Sequence, residues 1–370
     1  MHEQEFDVLV RGEGCVGRAL ALALSAQGLR VALLGRDETA RDEDLRTYAL
    51  NAASVALLRE LRVWDALPPD AVSPVYEMQV QGDQAAGQLG FSAWQQGVGE
   101  LAHIVDAAAL EQQLAAALRF APHVKRVTAP VPAGLEALCE GRDSAARAAL
   151  GVRFERHGYA QTAIAARLVA SEAHQGVARQ WFRAPDVLAL LPFERPEPQR
   201  SYGLVWSLPR ERAEELLAAG PAEFESALLQ ATGGAVGPLA LAGGRAAWPL
   251  AHARADRVSG PGWVLLGDAA HQVHPLAGQG LNLGFADVAT LVRVLREREA
   301  WRPLGDERLL RRFARERAVP NWAMGELTDG LLRVFASEAP GLRELRNRGM
   351  GLLNHLPPVK RWLTGRALGA

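Results

Sequence analysis

The sequence predicts an α/β fold: a Rossmann-like domain assembled from both ends of the chain, with an antiparallel-sheet domain inserted into it. Three observations carry this reading. The chain opens on a strand, a glycine-rich turn, a helix and a second strand within about 30 residues, the signature of a parallel βαβ unit. Strand-like segments then crowd the middle of the chain with short connections. Near the end a further buried strand runs into a glycine-dense turn and a long helix, which returns the chain to the first domain.

Residues 6–10 (FDVLV) are apolar enough to be buried on both faces, as a central strand of a parallel sheet must be. The helix that follows (RALALALSAQ) is apolar on nearly every side, as beneath a sheet, and Gly28 ends it. Residues 29–35 (LRVALLG) supply the second strand. Propensity and spacing predict helices over 50–61 and 107–119. Strands are predicted over 78–80 and 90–93, with turn-rich GDQAAGQ between them. Residues 128–134, with two prolines, read as a linker. Residues 159–169, 176–182, 187–191 and 201–207 are strand-like and close enough to pair antiparallel. Helices follow over 210–219 and 222–230, a buried strand over 262–266, and a long helix over 281–298. From Arg302 the pattern stays helical and ends in an Arg- and Leu-rich tail.

Composition narrows the function classes. Of 370 residues, 49% are apolar and 22% charged, ordinary for a globular protein, and the length suits two domains. A formal net charge of −1 gives no basic surface for nucleic acid, so no nucleic-acid partner is expected. Lys125 and Lys360 are the only lysines, which fits a coding bias toward Arg, Ala, Gly and Leu better than a function. Two cysteines, Cys15 and Cys139, cannot build a disulfide framework, so a reducing compartment is the default. The opening MHEQEFD has no signal-peptide core, and no uncharged apolar run approaches the ~20 residues that span a bilayer. A cytoplasmic protein is expected, at most peripheral on the inner membrane.

Two motifs carry chemistry. The first is Gly12-x-Gly14-x-x-Gly17 between strand and helix. Gly12 allows the tight turn, Gly14 lets backbone approach a pyrophosphate, and Gly17 permits close packing of helix on strand. The helix N-terminus supplies N–H donors and partial positive charge for phosphate. The acid expected ~20 residues further on, for the adenosine ribose, is missing. Gly35 stands there instead, Asp37 and Glu38 come slightly later, and Arg36 is placed to stack on adenine or meet a 2′-phosphate. Restoring an acid at Gly35 is therefore expected to tighten binding. Glu13 puts a carboxylate into the phosphate loop, which adds like charge unless it points away. The second motif is Gly267-Asp268-Ala-Ala-His271, then His274-Pro275-Leu-Ala-Gly278-Gln279-Gly280-Leu281-Asn282-Leu-Gly284. Its small residues allow backbone to approach a planar ring, it opens a helix whose N-terminus stabilises negative charge, and an Asp after a strand can accept from a sugar-alcohol chain.

The run GDAAHQVHPLAGQGLNLG closely resembles the second FAD fingerprint of the group A flavoprotein monooxygenases, the p-hydroxybenzoate hydroxylase fold, and is most similar to the hydroxylases of ubiquinone biosynthesis. Leu45-Arg46-Thr-Tyr-Ala49-Leu50 looks like that family's RxxAL segment; residues 159–163, 187–192 and the tail GLLNHLPPVKRWLTGRALG also match. The resemblance implies an FAD-binding domain at 1–73, 98–158 and 257–370 and a substrate domain at 74–97 and 159–256. It implies FAD as the tight cofactor, NAD(P)H as transient reductant, O₂ as co-substrate and a small aromatic substrate, a phenol or polyprenylated ubiquinone precursor. Asp268 would meet the ribityl chain, Pro275, Gly278, Gln279 and Gly280 the isoalloxazine, and Arg46 the flavin region. The full cofactor-binding set is Gly12, Gly14, Cys15, Val16, Gly17, Arg36, Arg46, Asp268, Pro275, Gly278, Gly280, Leu281 and Asn282. No protein acid or base stands out; the flavin carries the chemistry.

Departures motivate a rival of another class, a non-catalytic paralogue acting as an accessory subunit in a quinone-biosynthesis complex. The family's Asp-Gly segment with downstream Ser and Arg aligns with Glu140-Gly141-Arg-Asp-Ser144-Ala-Ala-Arg147, which lengthens the acid to Glu, and residues 124–138 look short for the strands inserted there. No halogenase-type WxWxIP motif is present. His271 and His274 form an HxxH pair without an evident third ligand, so no metal is expected. Cys15 reads as a packing residue, not a redox thiol. Trp181, Phe182, Trp206 and Trp248 line either an aromatic-substrate pocket or the sheet core. The tail over 343–366 either rests on a membrane surface or packs as a solvated helix.

Overall fold

The computed structural model of the protein describes residues 5–35, 44–82, 87–273 and 279–336. FDVLVR forms β1 (Phe6–Arg11), with Val8, Leu9 and Val10 buried from both faces. After α1 (Cys15–Ala26), β2 (Val31–Leu34) lies parallel beside β1, as the opening unit predicts. Next come β3 (Thr47–Leu50), α2 (Ala52–Glu60), β4 (Val72–Val75), the hairpin of β5 (Glu77–Gln81) and β6 (Gln88–Ser92), the single turn α3 (Ala93–Gln96) and β7 (Ala102–Asp106). β3, β7 and β4 pair antiparallel in a small sheet. α4 (Ala107–Leu118) is capped by Asp106, which accepts from the Ala109 N–H at 2.8 Å.

β8 (Val124–Val127) and β9 (Ala133–Leu138) then join the parallel sheet beside β2 and β1 respectively. The reading of residues 128–134 as a linker holds only as far as β9, which begins inside it. The first sheet is completed by β15 (Ser259–Gly260) and β16 (Trp263–Leu265), so its order is β15-β16-β9-β1-β2-β8. Leu, Val and Ala from α1 and α4 cover one face.

α5 (Ala145–Ala149) leads to β10 (Phe154–Ala170), β11 (Val177–Arg183), β12 (Asp186–Phe193), β13 (Ser201–Pro209), the helices α6 (Arg210–Ala218) and α7 (Pro221–Thr232), and β14 (Leu239–Ala255). These strands, with β5, β6 and β17 (His271–Gln272), make an eight-stranded sheet in the order β17-β14-β10-β13-β12-β11-β5-β6. β14 is the one long strand that sequence reading passes over. Gly243, Gly244 and Pro249 read as breakers, but irregularities in the β10–β14 register between Gly158 and Thr162 and between Ala166 and Leu168 absorb them. Pro249 sits opposite Thr162, immediately beyond the first irregularity.

The chain re-enters the first sheet through β15 (Ser259–Gly260) and β16 (Trp263–Leu265), passes β17 (His271–Gln272), and ends in α8 (Gln279–Arg296) and α9 (Glu307–Ala336). α8 packs on α1, and α9 on α8.

The eight-stranded sheet meets the small three-stranded sheet across a short set of specific contacts. Arg167 of β10, buried, donates to Asp106 at 2.9 Å and to the Arg46 carbonyl at 3.0 Å, and stacks on Phe193 at 4.2 Å. Gly203 of β13 lies against Thr47; a Cβ there would stand 2.6 Å from the threonine hydroxyl. Arg167 and Gly203 therefore mark the inner face of the large sheet. Alternation along the strands puts Leu204, Trp206 and Leu208 on the outer face, under Phe224 and Leu228 of α7. Among the described residues no helix is long and apolar enough to cross a membrane.

Candidate functional site

The GxGxxG turn is built as its glycines require. Gly12 has φ +109°, and a Cβ on it would lie 2.4 Å from the Cys139 carbonyl oxygen. A Cβ on Gly17 would strike the Gly12 carbonyl at 1.9 Å, so α1 can approach β1 only because position 17 is glycine. Gly14 differs: nothing lies within 4 Å of where its Cβ would be. α1 starts at Gly14 with no side-chain cap and no acid in its first turn. Its N-terminal N–H groups thus face open space, as phosphate recognition needs.

Val16 ties this turn to the second motif. Its Cγ2 stands 2.6 Å from the position of a Cβ on Gly284 and 3.2 Å from one on Gly267. The glycines around Asp268 and along α8 therefore fit the side chain of the first helix, and the two fingerprints form one cleft. Cys15 is buried and its thiol is pushed up to about 12 by desolvation, with Glu111 adding to it, so it stays protonated and inert.

Asp268 and Asp287 show two opposite uses of a carboxylate. Asp268 is exposed at the floor of the cleft, and among the described residues none hydrogen-bonds it. Part of the residue reaches solvent, but the protein packed around its carboxyl desolvates it, and this burial raises its pKa above the usual range against the pull of His271, Arg142 and Arg46. It does not cap α8, which begins at Gln279. Asp287, on α8, is buried and saturated: it accepts from the Gly267 N–H at 3.0 Å, His271 Nε2 at 2.7 Å and Arg317 Nε at 2.6 Å. Burial would raise its pKa, but His271 and Arg317 outweigh that and hold it below the usual range. His271 is thus a fastener for the turn that carries Asp268. Sequence reading missed Asp287 and Arg317; an Asp inside an apolar helix face was the available signal.

Arg46 lies at the mouth of the same cleft, gripped by Asp44, 3.7 Å from Glu111 and 5.7 Å from the Tyr48 ring. These acids hold its guanidinium charged. Asn282 is expected to meet cofactor, but its side chain is turned inward. Its Oδ1 accepts from Asn51 N–H at 3.0 Å and Ser54 Oγ at 2.7 Å, and its Nδ2 donates to the Ala49 carbonyl at 2.8 Å. It pins α8 to the start of α2, which leaves its backbone as the part able to face a ligand. Leu281 is half-buried against the core, and Gly280 faces open space. Arg36, Asp37, Glu38, His274, Pro275, Gly278 and the 343–366 tail lie outside the described residues, as does the side chain of Gln279.

The two departures have local explanations. Glu140 accepts from Ser144 Oγ at 2.5 Å and from Arg11 Nε at 3.2 Å, and it reaches the Ala146 N–H at the start of α5 at 3.3 Å. Arg147, buried and stacked on Phe154 at 3.6 Å, donates to the Ala269 carbonyl at 2.9 Å beside Asp268. The lengthened acid therefore organises the segment that braces the second fingerprint. Gly35 is a correction: the space beyond it is filled by Glu13, whose Cδ lies 2.3 Å from where a Cβ would stand. An acid placed at position 35 alone would collide with Glu13 and meet like charge, so it is not expected to tighten binding.

Of the four aromatic candidates, Trp181 and Trp206 are fully buried on the outer face with Leu188 and Leu190. A cavity of about 210 Å³ beside them, lined by Asp186 and Arg212, lies on that same side, away from the cleft. Phe182 and Trp248 fall on the inner face, in one cross-strand row with Val187, Ser207 and Ala163. Next to this row the face carries the small Ala165, Ala189 and Ala246 with Val205, and beyond them Arg167, Leu191 and Gly203.

This geometry is that of a flavoenzyme: a pyrophosphate turn, a carboxylate beside a glycine-opened helix, and a separate sheet facing them. A family model described as FAD binding domain matches residues 5–129 and 123–328. The chain belongs to this FAD-binding family. It is similar to the ubiquinone hydroxylase UbiL of Rhodospirillum rubrum, 29% identical over 98% of this chain and 89% of that protein. It is also 29% identical to the 3-demethoxyubiquinol 3-hydroxylase of Escherichia coli over the whole of both chains. The fold matches the crystal structure of P. aeruginosa PqsL in complex with 2-aminobenzoylacetate with a TM-score of 0.77, over 93% of this chain and 99% of that one, at 21% identity. The inserted-sheet architecture expected from the sequence is that of the p-hydroxybenzoate hydroxylase fold.

Proposed function

We propose that the chain hydroxylates a polyprenylated phenolic precursor of the ubiquinone type. It is an FAD-dependent monooxygenase that uses NAD(P)H and O₂ on an aromatic substrate; the proposal concerns which aromatic, and which residues serve it. When bound, FAD supplies the redox chemistry, taking reducing equivalents from NAD(P)H and activating O₂ for transfer of one oxygen atom to the ring.

The observation that carries the reading is Asp268, without a hydrogen-bond partner among the described residues, beside the starts of α1 and α8, whose elements Val16 draws together. In this reading the α1 N-terminus and Gly14 receive the pyrophosphate, and Asp268 accepts from the ribityl hydroxyls. Arg46 borders the ring system, and the start of α8 offers N–H groups and a positive dipole end to charge developing there. The inner sheet face, small at its centre and bounded by Phe182 and Trp248, receives the substrate ring and excludes water from it. The boundaries 1–73, 98–158 and 257–370 against 74–97 and 159–256 divide these two tasks. A polyprenyl tail partitions into lipid, so the same reading includes contact with a membrane surface or with a quinone-biosynthesis assembly that delivers it.

The test is direct. Purified protein is assayed for bound flavin, then supplied with NADH or NADPH, O₂ and a short-chain prenylated phenol, and the product is weighed. A product heavier by one oxygen atom is expected. Flavin-loaded protein that consumes NAD(P)H but hydroxylates no prenylated phenol overturns the substrate assignment; a simple unprenylated phenol turning over better would redirect it.

A further inference from the structure

We infer that Glu13, in the phosphate turn, takes over the work of the missing acid at the end of β2 and binds the adenosine ribose of FAD. The inference rests on the FAD reading of the cleft. In dinucleotide-binding βαβ units an acid at the end of the second strand accepts hydrogen bonds from the ribose hydroxyls. Here that strand ends at Leu34, and Gly35 has no side chain to offer. The volume a side chain at 35 would fill is not empty. From the position of a Gly35 Cβ, Glu13 Cδ is 2.3 Å away, Cγ 2.5 Å and Oε2 2.7 Å. The Glu13 carboxylate thus occupies the place where the β2 acid would begin.

The remaining contacts fix its direction. Arg126 of β8 approaches Oε1 at 3.2 Å, so the carboxylate is drawn across the C-terminal edge of the sheet, away from the Gly14 N–H groups. This removes the objection that an acid in the turn repels the pyrophosphate. Among the described residues none donates to Oε2. The Arg126 side chain is 58% exposed, so the ion pair is screened and modest, while the Glu13 side chain, 18% exposed, is confined by its packing over Gly35. A carboxylate at the sheet edge, with one oxygen unclaimed among the described residues, is an acceptor for a vicinal diol. Gly35 is then explained too, because any larger residue would expel Glu13.

The experiment uses the full chain stripped of flavin, titrated with FAD and with FMN by flavin fluorescence; ADP and 2′,3′-dideoxy-ADP serve as competitors. Variants are Glu13→Ala, Glu13→Gln and the exchange Glu13→Ala/Gly35→Glu, each checked by apoprotein melting. Glu13→Ala is expected to weaken FAD and ADP by about ten-fold or more, the scale of a hydrogen bond to a charged acceptor. FMN and dideoxy-ADP, which lack that diol, are expected to bind as before. Glu13→Gln keeps the packing over Gly35 and should lose less than Glu13→Ala, and the exchange should recover most of the loss. If Glu13 only props Arg126, both competitors weaken alike or neither does, and the inference fails while FAD binding stands. A wild-type protein that takes up no FAD removes the underlying reading instead.

Discussion

Asp287→Ala should unfold the turn that carries Asp268, whereas Asp268→Ala should leave the protein standing and remove its grip on FAD. The magnitudes follow from the partners each carboxylate has. Asp287 is 1% exposed, and its loss strands four donors: the Gly267 N–H, His271, the buried Arg317 guanidinium and, more distantly at 3.5 Å, Asn321 Nδ2. Leaving a buried charge without its partner costs about 3–5 kcal/mol. Arg317 keeps Asn321 Oδ1 at 2.7 Å, which places the cost toward the lower end of that range. Asp268 strands nothing among the described residues, and its carboxyl is disfavoured by its surroundings, so alanine there should be neutral or slightly stabilising in the apoprotein. Urea denaturation of both apoproteins, alongside FAD titration of Asp268→Ala, separates the two roles. Asp287→Ala losing under about 1 kcal/mol would refute the reading of the His271–Asp287–Arg317 network as a fastener. A large loss of stability in Asp268→Ala with unchanged FAD affinity would refute the assignment of that residue.

Other outcomes follow from the same structure. The Asp287 carboxyl is lowered on folding, so its contribution is fully present above the unfolded carboxylate range near pH 4 and is lost as pH falls through the lower folded value; acid unfolding of wild type should be steeper there than that of Asp287→Asn, measured by circular dichroism. Asp268 has the opposite sign: its raised carboxyl makes the apoprotein gain stability as pH falls from neutral, a gain that Asp268→Ala should lack. Gly203→Ala forces a methyl onto Thr47 and should cost about 1–3 kcal/mol, most of it recovered by Thr47→Ala in the same chain. Trp206→Ala, on the fully buried outer face, should cost about 3–5 kcal/mol. Trp248→Ala, on the inner face, should instead raise the KM for the aromatic substrate with little change in melting.

The parts of the fold that were legible in the sequence share one property: local pattern and burial agree. FDVLV is apolar at every position but Asp7 and becomes a strand whose Val8, Leu9 and Val10 are buried from both sides, and the helix over 107–119 has both propensity and an Asp cap. β14 was hidden because its breakers are tolerated by pairing with β10, a partner some 80 residues away, which no local window contains. The site divides the same way. Gly12, Gly14 and Gly17 carry their reasons in their spacing. The inward turn of Asn282 does not, since it depends on Asn51 and Ser54 arriving from another element. Trp181 and Trp206 were indistinguishable from Phe182 and Trp248 until register put them on opposite faces.

The departures from the family's motif bear on whether this chain has decayed toward an accessory role. A decayed site loses residues singly, because nothing restores the partner left behind. Here the changes come with partners. Gly35 without a side chain is matched by Glu13, whose carboxylate fills that volume and is held by Arg126. Glu140, one methylene longer than the usual acid, still spans Arg11, Ser144 and the first turn of α5, and Arg147 of that turn still reaches Ala269 beside Asp268. Each exchange keeps a half-buried carboxylate paired. A cleft whose departures from the motif are compensated in space, and whose Asp268 carboxylate sits in an unfavourable setting, is built to bind something there. The accessory reading needs no such carboxylate at position 268, and the cofactor does.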